Sequence, residues 1–278
     1  MSETVLRVTG LCKRYPHFSL DHVSFSLPVG SISGFIGRNG AGKSTTLKSL
    51  LNLVHPEAGS IQFFGKDFSA NELEIKQQIS FVSGGISYYP RKKLKTITAV
   101  NRRFYKNWDE AAYQHCLQAF SLLEDKTPAE LSEGMKVKYA LTLALSHHAQ
   151  LLILDEPTSG LDPVSREDLL ELFLQLARQE HVTILFSTHI TSDLDKCADN
   201  IIYIRNGKII ENGPMDTFLK AYQQVTTSEK PAAGVVIGAR ENRSGWTGLI
   251  RRGSAVPAGA TVSDADLEAI MVHLEKES

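Results

Sequence analysis

Apolar positions along this chain follow two rhythms. Short runs with β character fall at residues 5–8, 23–27, 32–36, 61–64, 79–82, 151–154, 182–186 and 201–204. Two of them, Leu151-Leu152-Ile153-Leu154 and Val182-Thr183-Ile184-Leu185-Phe186, lack polar alternation. Strands buried on both faces by flanking helices read this way. Apolar residues three and four apart predict helices over 44–53, 109–123, 132–146 and 163–180, the last with Pro163 at a position that suits the start of a helix. Asn206-Gly207, between Ile201-Ile202-Tyr203-Ile204 and Lys208-Ile209-Ile210, predicts a two-residue hairpin turn. The mixture is that of an α/β protein. After Tyr222 the polar stretch Thr226-Thr227-Ser228-Glu229-Lys230-Pro231 suggests a linker, followed by β-like 234–250 and helical 263–277. The expectation is a main domain over 1–222 and, over 223–278, a linker with a small α+β appendage. Internal repeats and low-complexity tracts are absent.

Composition narrows the function classes. At 278 residues, 42% hydrophobic and 22% charged, the chain can build one large core with an appendage. Thirty Lys and Arg against 31 Asp and Glu leave a net charge of −1, so nothing global points to nucleic acid or an anionic bilayer. Cys12, Cys116 and Cys197 are odd in number, scattered and without metal-ligand spacing, as expected of reduced thiols in the cytoplasm. The first ten residues carry Glu3 and Arg7 and lead into no apolar core of a secretory signal. No uninterrupted run of about 18 apolar residues occurs to span a bilayer.

Candidate chemistry begins at Gly37-Arg38-Asn39-Gly40-Ala41-Gly42-Lys43-Ser44-Thr45, a P-loop pattern. Its frame is the required one, with a predicted strand before it and a helix after it. The glycines let backbone N–H groups turn inward onto phosphate oxygens, and the helix N terminus adds positive potential. Lys43 would neutralise the β- and γ-phosphates, and Ser44 would offer its hydroxyl to Mg2+. Asp155 and Glu156 follow Leu154 at the C-terminal end of a buried strand, where open α/β sheets present ligand-binding residues. Asp155 would hold Mg2+ through water, and Glu156, pointing elsewhere, would orient and deprotonate the attacking water. His189 ends the next apolar run, within reach of the same γ-phosphate.

Leu131-Ser132-Glu133-Gly134-Met135 opens a helix ahead of Asp155, and Ser159-Gly160-Leu161-Asp162 follows Glu156. With the P-loop, these ordered motifs make the chain resemble the ATPase domains of ABC transporters over roughly residues 1–222. The resemblance implies a P-loop ABC ATPase fold: a mixed sheet core, an antiparallel β subdomain and a helical subdomain at about 85–146. It implies that Tyr15 stacks on adenine, that Lys43 and Ser44 are the phosphate and metal residues, that Glu156 is the catalytic base and that His189 is the switch histidine. It further implies that Ser132 and Gly134 cap the γ-phosphate bound by an opposite subunit and that Asp162 belongs to the D-loop. ATP and Mg2+ are then the cofactors. The expected partners are a second ATPase copy, identical or paralogous, and an integral membrane permease that would hold the chain at the inner face of the cell membrane.

Asn101-Arg102-Arg103-Phe104-Tyr105-Lys106-Asn107-Trp108-Asp109 and the Ser-Glu-Gly-Met signature resemble stand-alone ATPases of bacterial drug, peptide or lipid exporters. There are two departures. Gly84 stands about where the family has Gln or Glu, and Glu133 and Met135 replace the commoner Gly and Gln. A soluble ABC ATPase acting on ribosomes or DNA is the alternative, but the two cassettes or long coiled coils of those relatives are missing here. A nucleotide kinase or GTPase would share the P-loop without the signature or the D-loop.

Overall fold

The computed structural model describes residues 3–83, 89–232, 234–243 and 245–276. Gly84 lies outside them. The chain opens with a long antiparallel pair, β1 (Thr4–Tyr15) and β2 (Phe18–Pro28), then β3 (Ile32–Ile36) and α1 (Lys43–Leu50). Next come β4 (Ala58–Phe63), β5 (Lys66–Asp67), α2 (Phe68–Lys76) and β6 (Ile79–Ser83). Helices α3 (Leu94–Asn101), α4 (Glu110–Ala119) and α5 (Glu133–Ser146) precede β7 (Leu151–Asp155), α6 (Pro163–Gln179), β8 (Thr183–Thr188) and α7 (Thr191–Cys197). The hairpin β9 (Asn200–Arg205) and β10 (Lys208–Pro214) leads to α8 (Met215–Lys220). The C-terminal part holds β11 (Tyr222–Thr227), β12 (Ile237–Asn242), β13 (Gly245–Arg251), β14 (Thr261–Asp264) and α9 (Leu267–Leu274).

The central sheet runs β10-β9-β3-β8-β7-β6, parallel except for β10. Strands β3, β7 and β8 are buried at every position, which explains the apolar runs of β7 and β8 and why the polar residues of β3 and β8 are small. Successive residues feed opposite cores, as the two-residue period of a strand demands. Leu151 and Ile153 join Phe35, Leu47 and Leu185 beneath the antiparallel sheet β2-β1-β4-β5, while Leu152 and Leu154 join Leu169, Phe173 and Phe186 under the helices. The hairpin turn has φ of 48° at Asn206 and 75° at Gly207, the two positive values that an Asn-Gly turn provides.

Several expected boundaries move. The helix expected over 44–53 ends at Leu50, because Asn52 turns left-handed and the amides of Leu53 and Val54 fold back onto the Lys48 carbonyl. The helix expected over 109–123 stops at Ala119, ahead of left-handed Ser121. Thr226 and Thr227, grouped by composition with a linker, instead end β11, which lies between β13 and β14 in the sheet β12-β13-β11-β14. Cross-strand pairing overrides the polar local sequence. The helix expected over 263–277 begins only at Leu267, capped by Asp266. Its apolar face, Leu267, Ile270, Met271 and Leu274, merges with the core that holds Tyr203 and Phe218. Tyr203 also donates a hydrogen bond to Glu275 at 2.8 Å.

Candidate functional site

The P-loop links the edge of β3 to α1. Gly40 and Gly42 have φ of 83° and 114°, conformations that favour glycine. At Gly42 a side chain would also strike Leu20 and Phe18, with a Cβ only 2.7 and 2.8 Å from their atoms. Gly37 is equally confined, since its Cβ would come 2.3 Å from the Ile204 carbonyl oxygen. Inside this loop the buried Lys43 folds back, its Nζ donating to Gly37 O at 2.7 Å and lying 3.4 Å from Arg38 O. Ala41 serves the loop's own structure: its amide donates to Arg38 O and its carbonyl accepts from the Gly207 amide, both at 3.0 Å.

Strands β7 and β8 place the acids opposite this loop. Asp155 pairs in register with Ser187, and Glu156 leaves the strand with φ of 53°. That left-handed value is strained for a residue with a side chain. It turns Glu156 away from Asp155, so the two carboxylates face different groups. Asp155 Oδ1 accepts from Ser44 Oγ at 3.2 Å and from Ser187 Oγ at 2.6 Å. Glu156 Oε1 lies 3.5 Å from Lys43 Nζ, and Oε2 lies 2.8 Å from Nδ1 of His189. Two chains of contacts therefore meet at one dipeptide: Ser44–Asp155–Ser187 and Lys43–Glu156–His189.

A cleft of about 540 Å3 opens beside them, lined by Arg38, Asn39, Gly40, Gly42, Lys43, Ser44, Thr45, Glu156, Ser159, His189 and Phe18. Tyr15, 44% exposed, lies in an adjoining hollow with Gly40, and its ring stacks on Phe18 with centroids 6.5 Å apart. Ser132, Gly134 and Asp162 do not line the cleft. Ser132 caps α5, its Oγ accepting from the Met135 amide at 3.2 Å, and Gly134 is buried in that helix's first turn. Asp162 caps α6 and accepts from the amides of Val164 and Ser165 and the hydroxyl of Ser165. The Ser165 hydroxyl and then its amide hold the Asp162 carboxyl below the usual range.

Two residues of the site escaped sequence reasoning. Ser187 is fully buried, donates to Asp155 Oδ1 and accepts from the Glu156 amide at 3.1 Å. Only strand pairing reveals it, because in sequence it is one more small residue of an apolar run. Phe18 had a weak signal, an aromatic just across the Pro16-His17 turn from Tyr15.

The family profile described as ABC transporter matches residues 20–159. The chain is 34% identical over 220 residues to the bacitracin transport ATP-binding protein BcrA of Bacillus licheniformis, covering 78% of this chain and 72% of that protein. It is 35% identical over 207 residues to the Nod factor export ATP-binding protein I of Burkholderia orbicola (strain AU 1054), covering 72% and 68%. A solved structure of an ATP-binding subunit of an ABC transporter superposes with a TM-score of 0.68 at 29% identity, covering 77% of this chain and 91% of that one. The P-loop, the paired acids and the sheet that joins them thus occur in a chain that belongs to the ABC transporter family, as an ATP-binding and ATP-hydrolysing subunit that powers a membrane permease.

Proposed function

We propose that two copies of this chain, or one copy and a paralogue, close head to tail on two ATP molecules and drive export through the permease that holds them at the membrane. The observation that carries this reading is the division of the motif residues. Lys43, Ser44, Glu156 and His189 line one cleft, with Asp155 joined to it through Ser44 at 3.2 Å, whereas Ser132 and Gly134 stand apart at the start of α5. A helix N terminus presents unpaired N–H groups and positive potential, which suit the γ-phosphate of a nucleotide held by the opposite chain. In this reading Lys43 exchanges its carbonyl partners for phosphate oxygens. Tyr15 and Phe18 form the adenine platform. Glu156 takes the proton of the attacking water, with His189 fixing its carboxylate. Ser44 and Asp155 offer a hydroxyl and a carboxylate 3.2 Å apart, hard oxygen donors of the kind Mg2+ takes, and the ion would offset phosphate charge there. We assign the ATPase domain to residues 1–222 and an appendage to 223–278.

For the permease we propose a groove beside β6, about 300 Å3, lined among others by Leu53, Phe81, Tyr105, Leu143 and His147. Leu53 is 62% exposed there, and the exposed Val100 and Phe104 neighbour its lining residues Asn101 and Tyr105 in the chain. Exposed apolar residues around a groove suit an inserted helix. Export rather than uptake is supported by the relatives named for bacitracin transport and Nod factor export. Light scattering of the Glu156→Gln protein tests the pairing. Its mass should double with ATP and Mg2+, stay monomeric with ADP, and stay monomeric with ATP once Ser132→Arg is added. A mass that ignores ATP, or one that doubles equally with Ser132→Arg, would overturn it.

A further inference from the structure

A second constellation lies outside the nucleotide cleft, on the antiparallel sheet. Between the pairs Leu11–Val23 and Lys13–Leu20, the single residue Cys12 of β1 faces two residues of β2, Asp21 and His22. This is a β-bulge, and His22 takes φ of 50° within it. Neighbouring strand residues ordinarily point to opposite faces. Here the bulge turns the His22 ring back onto Asp21, with Nδ1 and Oδ1 2.6 Å apart. The His22 amide approaches Cys12 Sγ at 3.4 Å. The thiol, the carboxylate and the imidazole offer ligand atoms that all lie within 4.8 Å of one another. A metal that draws each atom to about 2.0–2.3 Å needs only side-chain adjustments from that arrangement.

The donor set is selective. Sulfur and imidazole nitrogen favour zinc-class cations over Mg2+, so this cluster and the oxygen pair Ser44–Asp155 would take different ions. Asp21 Oδ2 already pairs with Lys208 at 3.0 Å, and Oδ1 faces His22. We propose that Cys12, Asp21 and His22 bind a divalent cation of the zinc class, which enters between His22 and Asp21 and clips β1 to β2. The neutral His22 ring keeps its one proton on the nitrogen that does not ligate the ion. Binding releases the Cys12 thiol proton to solvent, and water fills the open coordination position. The clip sits a few residues from the tip of the ribbon, where Tyr15 lies opposite Phe18, and that tip packs on Gly42 of the P-loop. Linear spacing conceals such a site because its ligands come from two strands joined by a bulge.

The test uses the full chain with Cd2+ as probe and Zn2+ as competitor. Cys116 and Cys197 are buried, whereas Cys12 is half-buried, so a sulfur-to-cadmium charge-transfer band reports Cys12. One equivalent of Cd2+ should produce the band, Zn2+ should remove it, and Zn2+ should protect Cys12 from a thiol reagent. Cys12→Ser should abolish the band, while His22→Ala and Asp21→Asn should each weaken Cd2+ binding at least about tenfold. Absence of the band, its survival in Cys12→Ser, or unchanged affinity in both His22→Ala and Asp21→Asn would overturn the proposal. The last result would leave only adventitious binding to a thiol.

Discussion

The P-loop cleft and the start of α5 spend their polar groups in opposite ways. In the cleft, every functional side chain is linked to another: Lys43 to Glu156, Glu156 to His189, Ser44 to Asp155 and Asp155 to Ser187. At α5, Ser132 turns its hydroxyl onto its own helix, and at α6 Asp162 does the same. The side chains of the cleft therefore hold one another in place, the kind of arrangement that electrostatic preorganisation uses. Ser132 and Asp162 are held in place by capping and, among the described residues, neither lines the cleft that holds Lys43, Glu156 and His189. Half of the chemistry follows from one sheet, and we propose that the other half follows from association.

The sharpest way to break this comparison is Glu156→Gln. If Glu156 is the general base we propose, its loss should lower turnover about 10²- to 10⁴-fold while nucleotide affinity stays near normal, read by phosphate release and fluorescent-nucleotide binding. Near-normal hydrolysis would remove Glu156 from its role. Ser187→Ala comes next. It takes a donor from Asp155 and an acceptor from the Glu156 amide, a loss on the order of 1–3 kcal/mol. Turnover should fall about 10- to 100-fold, with a raised Mg2+ requirement that Ser187→Thr partly restores. An unchanged Mg2+ titration would show that the acids are positioned without Ser187.

The far end of α5 sharpens the contrast. There His147 is buried, its ring stacked on Tyr105 with centroids 3.7 Å apart and its Nδ1 3.3 Å from Gln77 O. Burial pushes its pKa down to about 4. The unfolded chain binds this proton near pH 6.5 and the folded chain only near 4, so stability is complete above 6.5 and declines as pH falls through that window. The loss at pH 5 is on the order of 2 kcal/mol. His147→Phe should flatten the pH dependence of the melting temperature between pH 7 and 5, and an unaltered slope would exclude His147 as its source. The smallest effect is expected at the other end of α5. Ser132→Ala should cost about 1 kcal/mol or less of stability through the lost cap and leave nucleotide binding by the single chain unchanged. Weakened binding in the isolated chain would mean that Ser132 serves its own cleft.

Much of this was legible in order along the chain. The P-loop must be continuous because its successive amides wrap one phosphate group, so Gly37 to Thr45 stands out as a block. The unbroken apolar runs ending in Asp155 and before His189 announced buried parallel strands, and the Asn-Gly pair announced the β9–β10 turn. Capping residues are equally local, which is why Pro163 and Ser132 marked helix starts correctly. What sequence alone determined is the set of features whose physics acts within a few residues.

Tertiary structure decided everything that depends on neighbours distant in sequence. Ser187 reaches Asp155 only because β7 and β8 lie side by side in register, and Phe18 joins Tyr15 only across a turn between strands. The polar residues of β11 became a central strand because β13 and β14 supply its hydrogen bonds, although their composition suggested a linker. Cys12 met Asp21 and His22 through a bulge that no spacing rule encodes. Hydrogen bonds and close packing act over about 3–4 Å in space regardless of separation along the chain, so these groupings exist only once the sheets have formed.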